Sequence, residues 1–445
     1  MKNKSITKTF FKFAIPSIVG LLIVSMQTMI DGIFVGNFVG PKGLAAINLA
    51  MPYINTFMSI AMMIVVGGSV IANIEMGKGN TKKASEITSF ILLSFIIIIT
   101  TLSLFSLIFI DKIVIFLGGA TLFNLVKDYL FPFLLFAFFF TGPLFTETFA
   151  RVGGKPSAVF LSGFICCISN IILDYVFIVK LGWGIKGASW ATILANLFGT
   201  MALFRLFFKG RSSIQLCKPK GSLKILKTAL YNGSSEMLTV VSTAIAAFLF
   251  NRIIMKYIGE LGVSALTIVF YVNNIVNITL YGLSVALQPI VSYNLGAGQF
   301  DKIKKVLKIS LLTGGFVGIS AFFIMKFNGI ILINLFTKGN MELTKLALTA
   351  TNYFIFAYFI SFMNIIASAF HTAIEKPFES ALISLLRSLV FVSIFLFTLP
   401  HFFGDKGIWL TIPVSEVCCL IVSYVLTKKS IGNLKLIQIK NSIGV

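Results

Sequence analysis

Long apolar segments, separated by short polar connectors, recur along the whole chain. Each is about 20 residues long or longer, the length at which an α-helix crosses the hydrocarbon core of a bilayer. The segments lie at about 13–37, 46–74, 88–110, 128–150, 157–179, 187–208, 229–257, 263–294, 308–335, 346–373, 378–399 and 407–427. The pattern therefore predicts an all-α polytopic membrane protein with twelve transmembrane helices.

Composition excludes a soluble protein. Of the 445 residues, 57% are hydrophobic and only 12% are charged, whereas soluble domains carry about a quarter charged residues. The five cysteines include two adjacent pairs inside apolar segments, and they have neither disulfide-framework nor metal-ligand spacing. No nucleotide-binding or nucleophile motif is present, so we expect neither an enzyme nor a bound cofactor.

The formal charge of +22 would suggest nucleic-acid binding in a soluble protein. Here the basic residues flank the apolar segments, and most fall on connectors that share one side of the membrane with the N-terminus. By the positive-inside rule this side is cytoplasmic, and an even number of spans places both termini there. We expect a multi-pass protein of the bacterial inner membrane that contacts lipids and no nucleic acid.

An internal repeat divides the chain into halves. Gly40-Pro-Lys-Gly43 reappears as Gly259-Glu-Leu-Gly262, and three further pairs of short motifs recur in the same order at nearly the same separation. This predicts a duplicated six-helix unit. We expect pseudo-symmetric lobes at 1–208 and 228–445, joined by a basic cytoplasmic linker at 209–227. Parallel repeats of this kind form two lobes around a central cleft that opens alternately to each side.

Ionisable residues inside the spans are the candidates for function, because burying a charge in a bilayer is costly. Asp31 and Asp174 each lie about 17 residues into their spans, or about 25 Å along the helix. Both spans begin on the cytoplasmic side, so the two carboxylates share one level in the outer half of the first lobe.

Three polar residues belong to the same level. Asn170 is one helical turn from Asp174, and Thr192 and Tyr129 lie on the neighbouring spans. Together they offer oxygen ligands for a proton or a sodium ion. The alternative is that each aspartate makes only local hydrogen bonds; the matching depths favour a shared site.

Other polar residues suggest a substrate cleft. Glu236 in span 7 either attracts a cationic substrate or is a hydrated acid near the surface. Gln288 precedes Pro289 in span 8, and a helix bent at proline can line a cavity, flex, or simply pack; Pro16 in span 1 allows the same uses. We also place in the cleft three residues of span 1, namely Met26, Gln27 and Met29.

The remaining buried charges have less defined roles. Glu147 and Arg151 are four residues apart, which favours an ion pair along one helix. Arg252 and Arg387 are expected to extend toward the interface or to pair. The sequence assigns no partner to Glu416.

Several motifs together resemble the multidrug and toxic compound extrusion (MATE) family. They are Asp31-Gly-Ile-Phe-Val-Gly36, Gly43-Leu-Ala-Ala46, Gly77-Lys-Gly79 and Leu287-Gln-Pro-Ile-Val-Ser-Tyr-Asn-Leu-Gly-Ala297. The resemblance covers essentially the whole chain and implies two six-helix lobes. It also implies export of organic cations and other drugs in exchange for protons or sodium ions.

The resemblance also implies positions for the coupling site. In one subgroup of the family the site residues fall on Asp31, Tyr129, Asn170, Asp174 and Thr192. Another subgroup uses acids on spans 7 and 10; Glu236 is present here, but the interior of span 10 has neither Asp nor Glu.

These observations predict a monomeric multidrug efflux antiporter that works by alternating access on small organic compounds. The main alternative is a flippase for lipid-linked oligosaccharides, which should have a strongly cationic cleft, whereas the deep groups here are mostly acidic. An ion channel or a membrane-embedded enzyme is a further alternative. A channel would conduct without exchange, and no catalytic constellation is visible for an enzyme.

Overall fold

The structure is a computed structural model that describes residues 5–208, 211–337 and 340–443, with the side chains of 120, 335, 435 and 437–443 outside the description. In the first half the helices are α1 Ile6–Phe38, α2 Pro41–Gly77, α3 Thr81–Ile108, α4 Ile110–Phe116, α5 Phe123–Leu135, α6 Ala137–Val152, α7 Pro156–Asp174 and α8 Gly184–Phe204. In the second half they are α9 Leu223–Tyr257, α10 Glu260–Gly296, α11 Phe300–Thr337, α12 Met341–Phe354, α13 Ser361–Ala373, α14 Pro377–Leu385, α15 Phe391–Phe403 and α16 Asp405–Ile443.

Short segments of other helical geometry extend these helices. The 3₁₀ segments are Gly119–Leu122, Arg205–Phe207 and Ile355–Phe359, and the π-helical segments are Tyr175–Lys180 and Leu386–Val390. The described residues contain no β-strand. The two π-helical segments continue α7 and join α14 to α15.

Ten of the continuous helical segments are long and apolar enough to cross a membrane, and there are up to twelve spans if each of two bent helix pairs counts as one. The bent pairs are α5–α6, at 53°, and α12 with its 3₁₀ extension and α13, at 45°. All twelve segments predicted from the sequence coincide with these elements, so the all-helical membrane fold is confirmed. Large apolar side chains remain exposed along the helices, as expected for surfaces that face lipid; Ile108, Phe316 and Phe327 are examples.

The helices form two compact units. The N-terminal unit is Ile15–Gly233, and the C-terminal unit contains the chain from Ser234 onwards together with α1 up to Ala14. Within each unit the helices contact one another extensively. The lobe boundaries at 208 and 228 stay a prediction. Residues 209 and 210 of the predicted linker lie outside the described residues.

The remainder of the linker packs on the N-terminal unit. The backbone N–H of Gln215 donates to Ser85 Oγ at 3.1 Å, and that of Cys217 donates to Ser89 Oγ at 3.0 Å. Both serines lie on α3, one helical turn apart. This part of the linker is therefore held in place by specific hydrogen bonds.

The internal repeat is visible in the backbone. Gly40 has φ 90° and ψ −175° before α2, and Gly259 has φ 85° and ψ −163° before α10. Three residues later, a Cβ added to Gly43 would lie 2.7 Å from Val39, and one added to Gly262 would lie 2.6 Å from Ile258. Each half thus needs one glycine for its positive φ angle and a second glycine, three residues later, for close packing at the start of its second helix.

Candidate functional site

Two aspartates from different helices meet in the N-terminal unit. Asp174 is the last residue of α7 and is fully buried, whereas Asp31 of α1 is half-buried. The Asp31 carboxyl group faces the side chains of Asp174, Asn170 and Thr192. The structure thus brings together four of the five residues predicted from helical depth.

The local helix geometry explains this arrangement. Asn170 and Asp174 lie one turn apart on the same face of α7, and both are 0% exposed. Thr192 lies on α8, and its hydroxyl donates to the Ala188 carbonyl at 3.0 Å. Because that hydrogen is used within the helix, the Thr192 oxygen is left to act as an acceptor toward a cation or a proton.

Tyr129 is the fifth member of the predicted cluster. It lies on α5, is 6% exposed, and packs on Phe133 with ring centroids 5.1 Å apart. Both carboxylates, Asp31 and Asp174, are close enough to act electrostatically on its hydroxyl. Tyr129 therefore belongs to the same polar cluster.

Several polar atoms of this cluster have no partner within hydrogen-bond geometry among the described residues. They are one oxygen of Asp31, both oxygens of Asp174, and both amide atoms of Asn170. Most buried polar groups in proteins are paired, and leaving them unpaired is costly. A group of buried, unpaired oxygens is suited to hold a proton or a hard monovalent cation.

The polar face extends one turn toward the start of α1. Gln27 lies four residues before Asp31 and is 6% exposed. The Cys166 thiol lies 3.0 Å from Asn196 Oδ1 and 3.5 Å from Gln27 Oε1, so its one hydrogen can be donated to either amide oxygen. Gln27 is therefore packed inside the unit, while Met26 and Met29 are exposed at 59% and 57%. That these three residues line a substrate cleft stays a prediction.

In the C-terminal unit the two predicted polar residues also meet. Gln288 Nε2 donates to Glu236 Oε1 at 2.8 Å, and both side chains are half-buried. Helix α10 continues through Pro289, and α1 continues through Pro16. Their use as hinges stays a prediction.

Glu416 has partners that the sequence did not reveal. Its Oε1 accepts from Arg387 Nε at 2.7 Å, and its Oε2 accepts from Asn364 Nδ2 at 2.7 Å. Ser423 in turn donates to Asn364 Oδ1 at 2.7 Å. The sequence left two alternatives for Arg387, extending toward the interface or pairing, and assigned no partner to Glu416. The structure shows that Arg387 pairs, and that its partner is Glu416.

The remaining charges also have defined environments. The predicted Glu147–Arg151 ion pair is confirmed, with 3.6 Å between Arg151 Nη2 and Glu147 Oε2; Arg151 Nε also donates to Ser17 Oγ at 3.2 Å. Arg252 is exposed on α9. The described residues contain no group of three or more His, Cys, Asp or Glu side chains placed to hold a metal ion. A sodium ion at the Asp31 cluster would depend on its neutral oxygens as well as its two carboxylates.

A duplicated helical fold with a polar cluster buried inside its spans defines an integral membrane protein of the transporter type. A family model named MatE matches residues 16–176 and again residues 237–398, once in each half. The chain belongs to the MatE family, which confirms the resemblance seen in the sequence motifs.

Known proteins similar to this chain extend the comparison. The multidrug export protein MepA of Staphylococcus haemolyticus is 22% identical over 437 residues, covering 95% of this chain and 94% of that protein. A crystal structure of MATE in complex with MaL6 has a TM-score of 0.92 at 21% identity, covering 97% of this chain and 98% of that chain. An outward-facing multidrug resistance MATE family transporter has a TM-score of 0.91 at 22% identity, covering 97% of each chain. The structural likeness establishes the fold.

Proposed function

We propose that this protein is a secondary active multidrug exporter that exchanges small organic compounds for protons or sodium ions by alternating access. Three observations support the proposal. The chain belongs to the MatE family, the similar MepA proteins are named as multidrug exporters, and a buried acidic cluster lies within the N-terminal unit.

The observation that carries the proposal is the convergence of Asp31 and Asp174 from two different helices. Two carboxylates this close repel each other in a medium of low dielectric unless a proton or a cation lies between them. Binding of a proton or cation would relieve this repulsion and favour the conformation that releases the drug outward. Loss of the ion toward the cytoplasm would then reset the cycle.

Coupling of this kind is reciprocal, so ion binding changes drug affinity by the same factor by which the drug changes ion affinity. Each positive charge that moves inward down a potential of 100 mV supplies about 2.3 kcal/mol. By the positive-inside rule, we place both chain ends in the cytoplasm. We also propose that the protein acts as a monomer in the bacterial inner membrane, since the similar MepA proteins are bacterial.

The test measures efflux of a fluorescent cationic dye in vesicles under pH and sodium gradients imposed separately. Asp31→Asn and Asp174→Asn are compared with Asp111→Asn, an aspartate that is 60% exposed and pairs with Lys127 at 2.6 Å outside the cluster. We expect the cluster variants to lose gradient-driven efflux and the Asp111 variant to keep it. Full gradient-driven efflux in both cluster variants would overturn the coupling site. Conductance without exchange would indicate a channel.

A further inference from the structure

The C-terminal unit contains a cavity of its own, with a volume of about 710 Å³. Sites for small organic ligands commonly measure about 300–1,000 Å³. The charged residues that line the cavity are Glu236, Arg387 and Glu416. The cavity is thus large enough for a drug-sized molecule, and it carries both signs of charge.

Arg387 presents free donors to this cavity. A guanidinium group has five N–H donors, and only the one on Nε is used, by Glu416. The terminal nitrogens of Arg387 have no partner among the described residues, and they are not among the fully buried polar atoms. The side chain is 22% exposed, against 4% for Glu416. The planar end of the guanidinium is therefore accessible from the cavity.

Glu416 and Asn364 hold the guanidinium in position. Both carboxylate oxygens of Glu416 are occupied, one by Arg387 and the other by Asn364. Glu416 thus bonds only to protein groups and holds Arg387 in place. The terminal N–H groups of Arg387 keep the planar fork geometry that binds a carboxylate through two parallel hydrogen bonds.

Glu236 presents the opposite charge. Its Oε1 accepts from Gln288, while Oε2 has no partner among the described residues and is not fully buried. Because Glu416 already compensates Arg387, Glu236 is the lining charge without a charged partner in the described residues. It can attract an organic cation.

The remaining walls suit a flat organic molecule. Phe250, Phe270 and Phe354 supply aromatic surface, and Asn251 and Asn277 supply amide groups. Aromatic faces attract organic cations as well as apolar rings. Amides can hydrogen-bond to either end of a dipolar ligand.

We infer that this cavity binds zwitterionic organic compounds, with the ligand carboxylate on the terminal nitrogens of Arg387 and the ligand cation at Glu236. The inference extends the proposed function by naming a substrate chemistry, and it rests on that function for the role of the cavity in transport. Arg387 is the group that distinguishes a zwitterion from a simple cation.

The test uses two dyes that differ in one group, a rhodamine with a free carboxylate and its methyl ester. Their binding to the purified full-length protein is measured by fluorescence anisotropy. The main variant is Arg387→Met with Glu416→Met, which removes the pair without changing the net charge. Arg252→Gln is the matched control, because that arginine is exposed and does not line the cavity. Size-exclusion chromatography verifies that each variant is folded.

In the double variant we expect the Kd of the zwitterion to rise about tenfold or more, and that of the ester to change by less than about twofold. Glu236→Gln should weaken both dyes, and Arg252→Gln neither. An equal loss for both dyes in the double variant, or an unchanged zwitterion affinity, would overturn the inference. Binding is measured without any gradient, so the result is independent of whether Asp31 and Asp174 couple efflux to ions.

Discussion

At the scale of single residues, the C-terminal unit contains a carboxylate with every oxygen occupied, and the N-terminal unit contains carboxylates with free oxygens. Glu416 is 3% exposed and accepts from two side chains. Asp174 is equally buried, yet neither of its oxygens has a partner in the described residues. The first arrangement is typical of a fixed structural charge, and the second agrees with the proposed role of Asp174 in binding a proton or a cation.

This contrast predicts the stability of variants at the Arg387–Glu416 pair. Glu416→Leu removes the carboxylate that compensates Arg387, whereas Asn364 Nδ2 keeps the backbone carbonyl of residue 416 at 2.9 Å as an acceptor. Because the arginine is left without its counter-charge, we expect a loss of about 3–5 kcal/mol in the free energy of unfolding. The double change to methionine at both positions should recover most of that loss, because no uncompensated charge remains. Thermal unfolding in detergent measures both variants. Equal destabilisation by the single and the double change would contradict this account.

The two charge clusters also differ in how far the sequence could predict them. The levels of Asp31 and Asp174 follow from the constant rise of a helix, which requires only a residue count from the start of each span. The pairing of Arg387 with Glu416 depends on how α16 and the span that contains Arg387 are rotated toward each other. That rotation is set by packing, and a single sequence does not record it.

At the scale of elements, the positions of the spans could be read from the apolar segments, but their bends could not. The α5–α6 span bends near Phe136, one turn after Pro132, whereas the equivalent bend near Ile360 has no proline within four residues. Conversely, α2 continues through Pro52. Proline is therefore a poor guide to bending here, because neighbouring helices in a membrane can satisfy the freed backbone groups.

The backbone conformation of the glycines that precede α2 and α10 predicts that replacing either glycine lowers the stability of the protein. Gly40 and Gly259 adopt a conformation that is essentially restricted to glycine, and an added Cβ would meet nothing within 4 Å at either position. Changing either to alanine should cost about 1–3 kcal/mol through strain alone. Thermal unfolding followed by size-exclusion chromatography measures the loss.

The matched control for both changes is Gly432→Ala. This glycine lies inside α16, where an added Cβ would also meet nothing within 4 Å. Because alanine favours a helix interior by about 1 kcal/mol over glycine, the control should be neutral or stabilising. A loss of stability in the control equal to that at Gly40 and Gly259 would argue against a conformational cause.

At the scale of the whole molecule, the linker supplies a natural reporter of membrane orientation. Cys217 is exposed, whereas Cys166, Cys167 and Cys419 are buried and Cys418 is half-buried within α16. A membrane-impermeant maleimide should label Cys217 in everted vesicles and leave it unlabelled in intact cells, because we predict that the linker is cytoplasmic. Mass spectrometry of the labelled protein identifies the site.

Two variants complete that measurement. Cys217→Ser should abolish the labelling, and Lys180→Cys in the same background should be labelled in intact cells, because residue 180 lies on the predicted outer side. Labelling of the natural protein in intact cells would contradict the assignment of both termini to the cytoplasm.

The repeated glycine turns have a consequence for the origin of the molecule. The two halves of the duplicated fold share the same backbone conformation at Gly40 and Gly259, while their buried charges differ in kind. The N-terminal unit holds the two neighbouring carboxylates Asp31 and Asp174, and the C-terminal unit holds Arg387 together with the acid that fixes it. The halves have become specialised parts, so a chain built from two copies of either half would reproduce the scaffold and lose half of the chemistry.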